Sequence, residues 1–201
     1  MEGISFYWFA WMGWIIITFF MKKGKLRTRL ASLVLILLIT AHHHSSFSKI
    51  EVSYGFIVLL LITYIQVAYM KNSKLLYILI CTFILTFAYV SFQLFRLFDP
   101  IWVIFQPSFM VAFILIYLVL LLAKSRKERI IMFLFGVSHG EILYGVIMDY
   151  FRFPYSMGNL SFFDVVVFGI ILLFMWDGIE RLSAMFNQGI SKTSKRKAGI
   201  L

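Results

Sequence analysis

Cysteine and proline are scarce in this chain of 201 residues, which has one Cys and three Pro. With Cys81 alone, an intramolecular disulfide is excluded. Charge is also scarce, since 14% of the residues are charged and 62% are hydrophobic. Soluble domains average roughly 25% charged and 45–50% apolar residues. The composition therefore excludes an ordinary soluble domain and predicts an integral membrane protein.

Acidic residues are fewer than basic ones: nine Asp and Glu stand against 19 Lys and Arg, which gives a net charge of +10. Taken without its positions, this excess would suggest nucleic-acid binding. The basic residues lie mostly between apolar runs, however, as they do in the cytoplasmic loops of membrane proteins. The sequence thus predicts contacts with the lipid bilayer and its anionic headgroups, and no nucleic-acid partner.

Long apolar runs make up most of the chain, and about 20 helical residues cross a hydrocarbon core of roughly 30 Å. The second run reaches spanning length only by including the polar residues around His42, His43 and His44. Pro107 falls inside the fifth run and predicts a bend there. The seven predicted spans are residues 4–21, 30–48, 52–70, 75–95, 101–123, 130–150 and 162–182.

The basic residues predict the orientation of these spans. With the N-terminus outside, 16 of the 19 Lys and Arg lie inside, and Lys49, Arg96 and Arg152 lie outside. If the second span does not cross, the basic residues are no longer concentrated on one side of the membrane. We therefore predict an all-α polytopic membrane helix bundle with seven transmembrane helices, an outer N-terminus and a cytoplasmic C-terminus, in the cell membrane. Residues 1–186 form its single domain, and residues 187–201 form a basic, disordered cytoplasmic tail.

The sixth span contains a histidine and a carboxylate near its middle, His139 and Glu141. A charge at that depth costs roughly 2.5–3.5 kcal/mol, so an intramembrane Glu indicates a functional site. The alternative is a protonated carboxyl that ties helices together. Ser138 shares the face of Glu141, whereas His139 points elsewhere. Gly136 and Gly140 form a Gly-x-x-x-Gly pair that is predicted to admit a neighbouring helix near the histidine.

Residues 136–140 also match the Gly-x-Ser-x-Gly pattern of a nucleophile elbow. An elbow requires a strand, a sharp turn and then a helix, and a continuous helical span is predicted here. No catalytic residue is assigned. A retinal Schiff base would require a lysine in the last helix, and none precedes Lys192 in that region, so we expect no retinal.

The histidines of the second span lie at nearly the same depth as those polar residues of the sixth. We therefore predict one buried polar cluster of Glu141, His139 and at least one of His42 and His44. Such groups suit a divalent transition metal or a proton relay. At most two of three consecutive histidines can face the bundle, and the alternative is a frayed, polar helix end at the outer interface. No other cofactor is expected.

In the seventh span, Asp177 and Arg181 are four residues apart and are predicted to form an ion pair near the inner boundary. Its simplest role is neutralisation of charge at the interface, with Arg181 extending toward the headgroups.

Three stretches together resemble the YphA-type small membrane proteins of Bacillus and related spore formers. They are the opening MEGISFYWFAWMGW, the basic loop KKGKLRTR and the mid-span GVSHGEILYG. The resemblance covers the whole chain and implies a bacterial cytoplasmic membrane, but no activity and no catalytic residue.

Three classes of function remain open. A non-catalytic assembly, sensory or accessory protein, working with a membrane-protein partner, is favoured because no catalytic motif is left. A proton- or metal-coupled small-solute transporter would use the His and Glu cluster. An intramembrane metal-dependent enzyme would need a metal-activated water near Ser138, His139 and Glu141.

Overall fold

Helices form nearly all of the computed structural model, which describes residues 2–47, 50–70, 72–99 and 105–198. The helices in these ranges are α1 (Ile4–Phe20), α2 (Lys25–Thr40), α3 (Tyr54–Ala68), α4 (Asn72–Phe98), α5 (Pro107–Leu122), α6 (Arg126–Tyr150) and α7 (Leu160–Ala198). The strands are β1 (His44–Phe47), β2 (Ile50–Ser53) and β3 (Ser156–Met157). The most extensive helix contacts join α4 to α6 and α5 to α7. The predicted all-α character is confirmed.

The three short strands form a small sheet that the sequence analysis does not predict. β1 and β2 pair antiparallel as a hairpin, and β3 pairs in parallel with β2 through Glu51 with Ser156 and Val52 with Met157. The sheet therefore joins the connection between α2 and α3 to the connection between α6 and α7.

Three helical segments are long and apolar enough to cross a membrane: Leu75–Phe98, Arg126–Tyr150 and Leu160–Met185. α1, α3 and α5 are apolar but have only 17, 15 and 16 residues. A helix of 16 residues is about 24 Å long, somewhat shorter than a hydrocarbon core of roughly 30 Å. Seven crossings and the orientation of the termini remain predictions.

The outer surface of the bundle exposes many large apolar side chains. Phe20, Tyr69 and Phe98 are each more than four-fifths exposed, at 82%, 88% and 82%. Exposed apolar area on this scale would be an aggregation hazard in water, whereas it suits contact with lipid tails. The surface therefore agrees with an integral membrane protein.

The predicted second span is wrong at its outer end, because α2 stops at Thr40. The imidazole of His43 donates from Nδ1 to the carbonyl of Ile39 at 2.9 Å, which satisfies an acceptor that the helix end leaves free. The chain then turns and enters β1 at His44. The three histidines thus follow the helix instead of completing it.

The predicted bend at Pro107 is also wrong, because Pro107 is the first residue of α5. Proline suits this position, since the missing N–H would have no helical partner there and its fixed φ matches the helix. Residues 101–104 of the predicted fifth span lie outside the described residues.

At the C-terminal end, α7 continues to Ala198, through most of the segment that the sequence predicts to be a basic, disordered tail. The segment has no proline, and its lysines and arginine favour helix. Residues 199–201 lie outside the described part of the chain. The cytoplasmic location of this segment stays a prediction.

Candidate functional site

The carboxylate of Glu141 lies in the interior of the bundle with none of its surface exposed. The Tyr89 hydroxyl donates to Oε2 at 2.6 Å, and the Tyr155 hydroxyl donates to Oε1 at 2.7 Å. The backbone N–H of Gly158 also donates to Oε1, at 2.9 Å. Three donors from α4 and from the connection between α6 and α7 therefore occupy both oxygens. Such donors stabilise a buried carboxylate in the absence of a neighbouring cation.

Tyr89 reaches Glu141 because α4 and α6 approach closely at two glycines. A Cβ atom on Gly136 would lie 2.6 Å from Cβ of Leu85, and one on Gly140 would lie 2.7 Å from the ring of Tyr89. Contacts this short are not tolerated, so only glycine fits at this separation. The sequence argument placed the partner near His139, but the pair brings Tyr89 beside Glu141.

A second side chain of α4 orients the Tyr89 hydroxyl. Gln93 lies one turn after Tyr89 on the same face of α4, and its Nε2 donates to the Tyr89 hydroxyl at 3.1 Å. Because that oxygen accepts from Gln93, its own proton is directed to Glu141. The result is a short hydrogen-bond chain from Gln93 through Tyr89 to the carboxylate.

The other two donors require the connection after α6 to fold back into the bundle. Glu141 precedes the end of α6 at Tyr150 by nine residues, which correspond to about 13 Å along the helix. Gly158 makes the return possible with a φ of 70°, in the left-handed region that favours glycine. A Cβ atom on Gly158 would also overlap Phe56. The residue that donates to Glu141 is therefore restricted to glycine by conformation and by space.

Tyr155 packs edge-to-face against Tyr144, with ring centroids 4.9 Å apart. Burial raises the pKa of the Tyr155 hydroxyl well above its ordinary value, and the charge of the nearby Glu141 carboxylate raises that pKa further. The hydroxyl consequently keeps its proton at physiological pH and remains a donor to Glu141.

His139 faces a different neighbour from Glu141. Its Nε2 lies 2.9 Å from the hydroxyl of Tyr64 on α3, and its Nδ1 lies 2.9 Å from the carbonyl of Phe135. A carbonyl only accepts, so Nδ1 carries a proton, and the Tyr64 hydroxyl can either donate to Nε2 or accept from it. Both ring nitrogens are therefore satisfied without Glu141.

The predicted cluster of Glu141, His139 and the second-span histidines does not form. His42, His43 and His44 are exposed at the end of α2, whereas Glu141 is fully buried among tyrosines and backbone. Within the described residues, no group of three or more His, Cys, Asp and Glu side chains could hold a metal ion. The physical reason is the early end of α2, which leaves the histidines outside the bundle.

Ser138 is the remaining predicted member of the cluster, and its buried hydroxyl has no hydrogen-bond partner among the described residues. It lies one turn before Glu141 in a continuous helix, so it has none of the strand and turn geometry of a nucleophile elbow. Within the described part of the chain, no base and no orienting group is hydrogen-bonded to Ser138.

A separate charged cluster lies where α6 begins, and it corrects the predicted pair of Asp177 and Arg181. Asp177 pairs with two arginines of α6 instead: Arg126 Nε contacts Oδ2, and Arg129 Nη1 lies 3.7 Å from Oδ1. Arg129 also contacts Glu180 Oε1 at 2.9 Å. Tertiary packing of α6 against α7 thus replaces the local i,i+4 pairing.

Arg129 is, together with Asp177, the best enclosed of these charges, being only 8% exposed. Its Nε donates to the carbonyl of Ala123, just after the end of α5, at 3.0 Å. Glu180 also accepts from the indole N–H of Trp176 at 2.7 Å. The cluster therefore joins α5, α6 and α7 through one guanidinium.

We expect Arg129→Gln to lower the free energy of unfolding by about 1–2 kcal/mol, between the values typical of exposed and buried ion pairs. Thermal unfolding in detergent measures the effect. Arg181→Gln is the matched control, because it removes the exposed arginine that the sequence predicted as the partner of Asp177. A larger loss with Arg181→Gln than with Arg129→Gln would contradict the assignment.

Among the residues of these sites that escaped the sequence analysis are Tyr89, Tyr155, Gly158 and Arg129. Tyr89, Gln93 and Arg96 stand at positions i, i+4 and i+7 of an otherwise apolar run, and this polar stripe was a usable signal. Nothing local marks Tyr155 and Gly158 as partners of Glu141, because they reach it only through the folded-back connection.

A family model described as "YphA-like integral membrane protein" matches residues 2–199. The chain belongs to this family. A YphA-like relative, the "Uncharacterized protein YphA" of Bacillus subtilis (strain 168), is 22% identical over 197 residues and covers 97% of this chain and 97% of its own length. No solved structure matches the chain. Membership in the YphA-like family confirms an integral membrane protein and supplies no reaction.

Proposed function

We propose that this YphA-like protein is a multi-pass protein of the bacterial cytoplasmic membrane with a non-catalytic, sensory or accessory role. The hydrogen bonding of Glu141 carries this proposal. An acid or base that acts on a substrate needs an accessible oxygen, whereas both oxygens of Glu141 are occupied by donors of the same chain. Both ring nitrogens of His139 are likewise satisfied, by Tyr64 and Phe135.

The proposed topology has seven crossings, with the N-terminus outside and the C-terminus in the cytoplasm. The positive-inside asymmetry of the sequence supports it, and so does the number of helices in the described residues. In this orientation the cluster of Arg126, Arg129, Asp177 and Glu180 lies at the cytoplasmic boundary. The basic connections on that side would contact anionic lipid headgroups, and a membrane-protein partner would receive the signal.

Reporter fusions test this topology directly. We expect a cytoplasmic signal after Lys25, Lys74, Arg126 and Lys195, and an exterior signal near Lys49, Asp99 and Gly158. An exterior signal at Lys74 combined with a cytoplasmic signal at Lys49 would show that α2 does not cross, and would reverse the proposed side of every later connection.

The non-catalytic role is tested with purified protein in liposomes. We expect proton and metal-cation flux no faster than through empty vesicles, and no stoichiometric bound metal, because the described residues offer no open ligand set. Flux that Glu141→Gln abolishes would overturn the proposal and identify a transporter.

A further inference from the structure

Polar groups connect Glu141 to one end of the bundle. On α4, Tyr89, Gln93 and Arg96 follow one another at helical spacing on one face, leading from the carboxylate toward the end of the helix at Phe98. Tyr155 provides a second connection, since it is half-buried and follows the exposed residues 151–154. Both lead to the end that the proposed topology places outside.

Toward the other end of the bundle, the surroundings of Glu141 are apolar. Met132, Phe133 and Val137 of α6 are fully buried on that side. The two hydroxyls of α4 at this level are already used, because Thr82 donates to the carbonyl of Ile78 and Thr86 donates to that of Gly136. Ser138 is the last polar side chain along α6 in this direction before the charged cluster at the start of the helix. A proton would therefore reach Glu141 from the outer end.

The carboxyl group of Glu141 directly holds the connection of residues 151–159. Two of its three donors, the Tyr155 hydroxyl and the Gly158 N–H, belong to this connection. Between them lies β3, which pairs with β2 of the hairpin after α2. A change in the hydrogen bonds of Glu141 is thereby transmitted to two connections at the outer end.

The titratable groups that face Glu141 are tyrosines from each neighbouring element: Tyr89 of α4, Tyr144 of α6 and Tyr155 of the connection. The positive charge of Arg96 on α4 acts electrostatically on Tyr144. No ion pair of Glu141 occurs among the described residues. Neutral donors alone thus hold the carboxylate, so its own protonation determines the charge of the site.

We propose that Glu141 is a proton-binding site reached from the exterior, and that proton binding loosens residues 155–158 together with the attached sheet. The inference rests on the sensory role and orientation under Proposed function, and names exterior protons as the signal. Hydrogen bonds to a carboxylate are roughly twice as strong as those between neutral groups. Protonation leaves Oε1 able to accept from Tyr155 and Gly158, but only as a neutral oxygen.

Hydrogen–deuterium exchange of residues 155–158 in detergent tests the site. After correction for the intrinsic pH dependence of exchange, we expect protection to fall about tenfold between pH 8 and pH 5 in the natural protein. Glu141→Gln mimics the protonated carboxyl and should show the low protection at both pH values. Asp149→Asn, which removes an exposed carboxyl near the same end of α6, should behave like the natural protein.

Constant protection of the natural protein between these pH values would overturn the inference, and so would an equal fall in Glu141→Gln. Tyr155→Phe provides a second variant that keeps Glu141. We expect its protection at pH 8 to be lower than that of the natural protein. Its protection should still fall on acidification, because the Gly158 N–H continues to donate to Glu141. Loss of the natural fall in Asp149→Asn would assign the response to Asp149 and contradict the proposal.

A pH jump across liposome membranes tests the side of access, with the infrared band of a protonated carboxyl as the readout. A label at Phe153→Cys, in a Cys81→Ser background, identifies the side on which the connection lies. We expect acid on the labelled side alone to protonate Glu141, and a response only to acid on the opposite side would overturn the proposed access. If the reporter fusions place the labelled connection in the cytoplasm, the proposed topology and the exterior origin of the signal are wrong. The hydrogen–deuterium exchange experiment still tests whether Glu141 is a proton-binding site.

Discussion

Glu141→Leu is expected to lower the free energy of unfolding by about 2–4 kcal/mol, because it removes the acceptor of three buried donors at once. Leucine fills much of the same space, so the loss would come chiefly from the Tyr89 hydroxyl, the Tyr155 hydroxyl and the Gly158 N–H. Thermal unfolding of the purified protein in detergent measures this loss. Membrane insertion should persist, since the substitution makes α6 more apolar.

Glu141→Gln is the matched control for this substitution. The amide oxygen can still accept from Tyr155 and Gly158, and the amide nitrogen can donate to the Tyr89 oxygen, so only the Tyr89 proton loses its acceptor. We expect less than half the loss found for leucine. Equal stability of the leucine variant and the natural protein would show that Glu141 does not hold the connection in place.

The sequence located Glu141 correctly as a buried, polar centre of α6, because its signal is local. A carboxylate in a long apolar helix must find partners, whatever the rest of the fold does. The glycines nearby were also readable, since Gly136 and Gly140 fall on one helix face at a spacing that admits another helix. What the spacing could not specify was which helix approaches.

The partners of Glu141 were mispredicted because residues at the same depth on two different helices need not be in contact. His42 and His44 were assigned to the core on the assumption that α2 continues to residue 48, but the helix ends at Thr40. The true partners, Tyr155 and Gly158, belong to a connection that the hydrophobic pattern marks only as polar. This connection returns into the bundle because Gly158 adopts a positive φ and because β3 pairs with β2. The hydrophobic periodicity of the sequence predicts neither feature.

The charged cluster of Arg126, Arg129, Asp177 and Glu180 illustrates the same limit. Asp177 and Arg181 satisfy the spacing rule for a helical ion pair, which is worth only about 0.3–0.5 kcal/mol. Arg126 and Arg129 from α6 offer Asp177 a more enclosed environment, and a weak local preference yields to that packing. Local spacing therefore predicted correctly that Asp177 is paired, but it named the wrong partner, Arg181.

Gly140→Leu is expected to have the other large effect, a loss of about 3 kcal/mol or more in the free energy of unfolding. Even a single Cβ at this position would lie 2.7–2.8 Å from atoms of Tyr89, so a leucine must push α4 away from α6. That displacement would also separate the Tyr89 hydroxyl from Glu141. The variant should therefore lose folded protein in detergent at a much lower temperature than the natural chain.

Gly178→Leu on α7 is the matched control, because a Cβ there meets no atom within 4 Å. It introduces the same side chain into a helix, where leucine is favoured over glycine by roughly 0.8–1 kcal/mol, so its stability should equal or exceed that of the natural protein. Gly140→Ala should fall between the two leucine variants, since one methyl group requires a smaller shift of the Tyr89 ring. If Gly140→Leu is as stable as Gly178→Leu, α4 and α6 do not approach each other as closely as described, and the hydrogen bond between Tyr89 and Glu141 loses its structural basis.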